Sequence, residues 1–216
     1  MTPAGRSSRA WVWLLATIVI GLALDLGSKY IVFHELGPQP VTIRKADVLA
    51  TQPEAILSLI PESAREPVMI IPGLLDFQRV LNSGAVFGAG SGRRWFFIGF
   101  TLVALAFAGV LFARWTSAKD HISHLAIGLI ISGGLGNLYD RARYACVRDF
   151  IHPLPDAQIP FGLSWPNGES ALWPYVSNVA DALLLIGIAI LMVKLWRTDS
   201  DRARAGKQVN ASSDDS

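Results

Sequence analysis

The sequence predicts an all-α membrane protein, four transmembrane helices carrying a small β-rich extracytoplasmic lobe, and three observations lead there. Only 17% of the 216 residues are charged and 51% are hydrophobic, with mean hydropathy +0.38; soluble domains carry about a quarter charged residues. An uncharged, mostly apolar stretch over 95–113 approaches the roughly 20 residues that cross a hydrocarbon core as a helix. Basic residues collect at the ends of this stretch and of three weaker ones: Arg6 and Arg9 before the first, Arg114 and Lys119 between the second and third, and Lys194, Arg197, Arg202, Arg204 and Lys207 after the fourth. The positive-inside rule places all three groups, and both termini, in the cytoplasm.

Taken in order, a cytoplasmic N-terminus (1–10) leads into a membrane domain over 11–197 with spans expected at about 11–32, 95–114, 120–140 and 174–195. The first run is broken by Asp25 and Lys29. Gly21-Leu22-Ala23 offers a cleavage site of the kind that ends a signal peptide, but apolar character resumes in Tyr30-Ile31-Val32-Phe33, and four spans balance the topology, so the run is expected to stay as a helix. The first outer segment, 33–94, holds short apolar runs bounded by prolines, at 55–60 and 68–71, suited to short strands or a surface-lying helix. Phe77-Gln78-Arg79-Val80-Leu81-Asn82 reads as a strand ended by the Ser83-Gly84 turn signal. Its cations do not weigh on topology, because long loops cross largely regardless of charge. The second outer segment, 141–173, carries Pro153, Pro155, Pro160, Pro166 and an Asn167-Gly168 turn, which forbid a long helix and predict a loop or lid. The tail, 198–216, has no apolar period and is expected to be disordered.

Several classes are excluded. A net charge of +2 without an aromatic-basic patch gives no footing for nucleic acid. The single Cys146 excludes an intramolecular disulfide and a cysteine-based metal cluster. His34, His121, His124 and His152 are scattered without ligand spacing, so neither metal nor cofactor is expected. No internal repeat of the kind that builds many transporters is visible.

The ionisable and amide residues at membrane depth fall toward one side. Asp25 and Lys29 lie toward the outer end of the first span, four residues apart, and can pair on their own helix. Asn137, Asp140 and Arg141 share one helix face at the outer end of the third. Asn178 and Asp181 share a face where the fourth begins, and Asp149 stays at the same surface. Charges at this depth are costly and mark function or a wet cavity. Each also has a structural reading: Asp25 with Lys29 as an anchoring ion pair, Asp140 partnered by an adjacent arginine and a helix end, Arg141 as a lipid-phosphate contact or interfacial anchor, and Asn82 as a turn residue. Asp149 and Asp181 have no cation in helical spacing with them. Brought together, they would share one proton, since like charges a few ångströms apart cannot both ionise. One would then act as general base on water while the other polarises a scissile carbonyl. On spacing alone, catalysis, ion transport and a structural or lipid-binding role all remain open.

Four ordered motifs resemble those of the lipoprotein signal peptidase (signal peptidase II) family. Asp25-Leu26-Gly27-Ser28-Lys29 is similar to its Asp-x-x-(Thr/Ser)-Lys element. Asn82-Ser83-Gly84-Ala85-Val86-Phe87-Gly88 resembles its Asn-x-Gly-Ala-Ala-Phe-Gly segment, with Val86 replacing an alanine. Gly133-Gly134-Leu135-Gly136-Asn137-Leu138-Tyr139-Asp140-Arg141 with Val147-Arg148-Asp149-Phe150 resembles the Gly-Gly-x-x-Gly-Asn-x-x-Asp-Arg and Val-x-Asp-Phe pair. Ser177-Asn178-Val179-Ala180-Asp181 resembles Phe-Asn-x-Ala-Asp, with Ser177 in the phenylalanine position.

The resemblance implies a monomeric aspartyl endopeptidase of the bacterial inner membrane, working on the extracytoplasmic side. Asp149 and Asp181 would be the catalytic dyad, Asn82, Asn137, Arg141 and Asn178 would line the site, and Asp25, Lys29, Gly84 and Asp140 would support it. The implied substrate is a prolipoprotein cut just before a cysteine that carries diacylglyceryl, within surrounding membrane lipids, and the implied outer lobe is a β-cradle lying on the membrane. Three features depart from the family pattern. Arg148 stands before Asp149 where an apolar residue is usual, and is expected to point outward. The segments 44–66 and 151–173 are longer than typical. Rival readings are an ion-relaying transporter, which needs polar groups distributed across the bilayer, and a structural assembly factor, which tolerates loss of either aspartate.

Overall fold

The computed structural model describes residues 2–84, 94–165 and 168–214, with side chains described through position 198. Ala85 to Gly88 of the second motif and Asn167 of the expected turn lie outside the described residues. Among the described residues, four helices are long and apolar enough to cross a membrane: Ser8–Glu35, Arg94–Trp115, His121–Tyr144 and Val179–Thr198.

α1 (Ser8–Tyr30) starts where the Ser7 side chain accepts a hydrogen bond from the Ala10 amide, and its last turn widens over Ile31–Glu35. A cap of this kind satisfies one of the amides left without a partner at a helix start. The short α2 (Lys45–Ala50) and 3-10 turns at Pro53–Leu59 and Glu62–Ala64 occupy the first outer segment. The segment folds around a core of Phe33, Val48, Ile56, Ile60, Leu81 and Phe150. The run at 55–60 is thus one of the 3-10 turns, whereas 68–71 is a strand.

β1 (Val68–Ile71), β2 (Leu75–Asn82) and β3 (Val147–Pro153) form an antiparallel sheet in the order β1-β2-β3. β3 corrects the expectation of a loop across 141–173. A seven-residue strand next to prolines is too short to announce itself by period, and its partner lies far away in sequence. Among the described residues beyond β3 the segment holds no long helix and one 3-10 turn, Pro160–Gly162. In the sheet register Val80 opposes Asp149 and Leu81 opposes Arg148. Side chains alternate between faces, so Asn82 and Asp149 share one face while Leu81, Arg148 and Phe150 share the other, against the lobe core.

α3 (Arg94–Val110, continued by a widened turn to Trp115) packs on α4 (His121–Tyr144), the inner helix of the bundle. Half of the apolar window of α4 is buried inside the protein, against 11% in α3 and in the fourth span. Small residues make this position possible, as in other membrane bundles. A Cβ at Gly133 would collide with the Ala180 carbonyl, and one at Gly136 with the Asp25 carboxylate. Asp120 caps the start of α4 on the Ser123 amide and is ion-paired to Lys194. At the other end Ala145 adopts the left-handed region, φ +66°, and turns the chain into β3.

α5 (Val179–Asp214) begins later than position 174, because Pro174 and the cap at Asn178 delay it. It also runs on through 198 to Asp214, where a disordered tail was expected. Extending a helix that is already nucleated costs far less than starting one, and Arg, Ala, Lys and Gln in 199–208 have good helix propensity.

Candidate active site

The ends of α1 and α4 meet the start of α5 and the sheet at a single cluster. Asn178 is the N-cap of α5. Its Oδ1 accepts from the Asp181 amide (3.1 Å), and its own amide donates to Asp181 Oδ2 (3.2 Å), a reciprocal cap. Asn178 Nδ2 then donates to Asp149 Oδ1 (2.6 Å) and to Asn137 Oδ1 (3.1 Å). Asn137 Nδ2 donates to Asp181 Oδ1 (2.8 Å). Asn82, diagonal to Asp149 on the same sheet face, donates from Nδ2 to Asp149 Oδ2 (3.1 Å), while its Oδ1 takes the Gly84 amide (2.9 Å). Asp149 and Asp181 are therefore tied together through two asparagines, and each of their four oxygens receives one hydrogen bond.

Asp149 is buried, and that burial, reinforced by the negative charge of Asp181, pushes its carboxyl up to about 7 from an ordinary 3.8. The donors Asn178 and Asn82 and the cation Lys29 oppose the rise without cancelling it. A carboxyl in this range holds a proton through much of the neutral region.

Behind the pair lies a second layer, built of acidic and basic side chains. Lys29 Nζ contacts Asp25 Oδ2 (2.9 Å), Asn137 Oδ1 (3.2 Å) and Asp140 Oδ2 (3.4 Å), and all three charged side chains are fully buried. Asp25 Oδ1 accepts from the Ala180 amide (2.9 Å), satisfying a free donor of the first turn of α5. Arg148 completes the layer and corrects an expectation. It is buried rather than pointing outward, with Nη2 on Asp140 Oδ1 (2.8 Å), Nε and the backbone amide on Oδ2, and the guanidinium carbon 4.4 Å from the Tyr144 ring centre. Asp140 holds Arg148 in the charged state more strongly than an exposed arginine would be held, despite the opposing effect of burial. The layer thus sets two basic side chains, Lys29 and Arg148, against two acidic ones, Asp25 and Asp140.

Arg141 is half-buried beside the pair. Its Nη2 donates to the Gly84 carbonyl (3.2 Å), its Nη1 sits 3.5 Å from the Asn137 carbonyl, and its guanidinium is 5.2 Å from the Phe97 ring centre. All ten singled-out residues thus gather at one end of the bundle, with Gly84 joined through its backbone. Asp140 pairs with Arg148 and Lys29 and not with its neighbour Arg141. Arg79 also went unremarked in the sequence: buried, it donates from Nε to the Val32 carbonyl (2.9 Å) and from Nη1 to the Ala64 carbonyl (2.6 Å), fastening the lobe to the end of α1. The Asn178 cap did have a sequence signal, an Asn followed three residues later by Asp ahead of an apolar run.

Fold and site together define a four-helix membrane protein that brings a buried carboxyl, Asp149, and a half-buried one, Asp181, together at one end of its bundle. The family described as signal peptidase (SPase) II matches residues 17–197. The chain belongs to that family, and so to a family of peptidases. It is 34% identical over 135 residues to the lipoprotein signal peptidase of Desulfitobacterium hafniense (strain DSM 10664 / DCB-2), covering 62% of this chain and 77% of the relative. It is 32% identical over 152 residues to that of Halothermothrix orenii, covering 70% and 91%. Among solved structures, a bacterial membrane enzyme determined by the in meso method at 2.3 Å resolution shares the fold, with TM-score 0.61, 23% identity and coverage of 87% of this chain and 90% of the other.

Proposed function

We propose that this chain removes signal peptides from diacylglyceryl-modified prolipoproteins, cutting before the lipidated cysteine, with Asp149 and Asp181 as an aspartic dyad. The observation that carries the reading is the pairing of the two carboxylates through Asn137 and Asn178, with the Asp149 carboxyl raised to about 7. Family membership supplies the substrate class. Asp149 holds the shared proton and directs it at the scissile carbonyl oxygen. The Asp181 carboxylate takes a proton from water, whose oxygen attacks the carbonyl carbon. Collapse of the tetrahedral intermediate passes a proton to the leaving amine, giving a free carboxyl on the signal peptide and a free amino group on the lipidated cysteine.

Asn82, Asn137 and Asn178 hold the carboxylates in orientation, and Arg141 lies at the mouth of the site as a substrate contact. Asp25, Lys29, Gly84 and Asp140 support them. The position suits a substrate whose acyl chains stay in the bilayer, since each methylene withdrawn from lipid costs about 0.8 kcal/mol. Both termini lie in the cytoplasm, the site faces the other side of the inner membrane, and the enzyme works as a monomer. An ion-relay role is less well supported, because 95–113, 125–136 and 182–193 contain no ionisable side chain to bridge the bilayer. The deciding assay is cleavage of a diacylglyceryl-modified prolipoprotein in detergent by wild type, Asp149→Asn and Asp181→Asn. Each variant should lose about 10^2- to 10^4-fold in rate while remaining folded. A folded variant that cleaves at the wild-type rate refutes the dyad.

A further inference from the structure

Between β3 and α5 the chain doubles back as a hairpin that the site does not use. The Ile159 amide donates to the Ser170 carbonyl (2.8 Å), Leu172 to Ala157 (2.7 Å) and Trp165 to Glu169 (2.8 Å). Its root is fixed by the mutual hydrogen bonds of Ile151 and Ser177 (2.7 and 2.9 Å), close to where α4 ends and α5 begins. What it displays is apolar: Phe161 is 95% exposed and Leu163 61%, with Trp165, Leu172 and Trp173 also exposed. Phe161 has φ +66°, a left-handed conformation rare for a bulky residue, and Gly162 follows at +69°. The backbone thus spends strain to hold an aromatic ring out of the protein. Trp165 donates its indole N–H to the Ala171 carbonyl (2.9 Å), so its ring can enter an apolar medium without an unpaired donor.

We infer that this hairpin is a membrane-docking arm whose partner is the lipid surface around the site. Its composition fits the interfacial layer, where aromatic rings concentrate. Positions 154–178 contain no Lys, Arg or His, and their charges are Asp156 and Glu169 alone. Its placement fits as well. It is rooted on β3 at Ile151 and, at Ser177, two residues before the membrane-crossing α5 begins. An arm of five or six extended residues reaches about 15–20 Å at roughly 3.3 Å per residue. At its base the Leu154 amide donates to the carbonyl of Leu74 (2.9 Å), an exposed apolar residue of the β1–β2 turn.

The test uses single cysteines. Cys146 is fully buried and its thiol is pushed up to about 12 by that burial, so thiol reagents leave it unmodified. Phe161→Cys and, independently, Leu163→Cys are labelled with bimane and the full chain is reconstituted into phosphatidylcholine vesicles. Docking predicts that a phospholipid bearing a doxyl nitroxide near its headgroup roughly halves the emission while aqueous iodide barely quenches it, as expected for side chains buried about 5–10 Å into the boundary. Efficient iodide quenching without doxyl quenching at both positions overturns the proposal. So does shielding that arises only when a diacylglyceryl-modified peptide is added, which makes substrate the occupant. Neither readout depends on cleavage, so failure of the proposed activity would leave the test intact.

Discussion

Replacing Asp149 with asparagine should change how stability responds to pH, independently of what it does to turnover. The folded protein holds this carboxyl at about 7, against an ordinary value of 3.8, through burial first and the charge of Asp181 second. A carboxyl raised in the folded state binds more protons there than when unfolded. Its favourable share is therefore intact below the ordinary range and is lost as pH climbs through about 7. With each pKa unit near 1.4 kcal/mol, the penalty from Asp149 grows by about 2.5 kcal/mol between roughly pH 5 and pH 8. That is roughly 5–10 °C in unfolding midpoint for a protein of this size. Asparagine also disturbs the hydrogen bonds from Asn82 and Asn178, but that cost does not vary with pH, so the slope isolates the titration. Unfolding midpoints of wild type and Asp149→Asn in the same micelles, across this range, provide the assay. The wild type should lose the additional 5–10 °C and the variant should not. Parallel curves would refute the protonated Asp149 and the shared-proton mechanism with it.

Three further outcomes follow from the same geometry. Cleavage by the wild type should fall as pH rises through about 7, when Asp149 loses its proton, which a pH–rate profile of kcat/KM will display. Arg148→Leu leaves the buried Asp140 with Lys29 as its one paired basic side chain and should cost about 3 kcal/mol, read as a lowered unfolding midpoint. Asn178→Ser keeps an efficient helix cap but removes both Nδ2 donations. It should lower kcat about 10^2-fold through misplaced carboxylates with little change in midpoint.

The four spans were legible because each is an apolar run of nearly full membrane length, and the clustering of the site was legible because helical period fixes which side chains share a face. Asp25, Lys29, Asn137 and Asp140 converge for that reason. What stayed hidden depended on contacts distant in sequence. Nothing local in Val147-Arg148-Asp149-Phe150 says that it pairs with 75–82, and without that strand Arg148 had no reason to face inward. Arg79 read as one loop cation among several until its two carbonyl partners were brought to it. The late start of α5 and its extension to Asp214 are boundary effects, set by one proline and one cap at the beginning and by modest helix preferences at the end.

Asn178 ties two properties that usually vary separately. One of its atoms caps the backbone of α5, and another holds the Asp149 carboxyl of the proposed dyad. Serine, threonine and aspartate can terminate a helix but bring no amide donor, whereas glutamine brings the donor on a longer arm that is poorly suited to a cap. Asparagine alone combines short reach with both polarities, so mutational drift at this position has no neutral exit. Fraying of the first turn of α5, which in most helices is silent, would here disturb the proposed dyad before the bundle itself loosens. Heat inactivation should accordingly precede global unfolding, and selection for thermal tolerance would act first on a single helical turn.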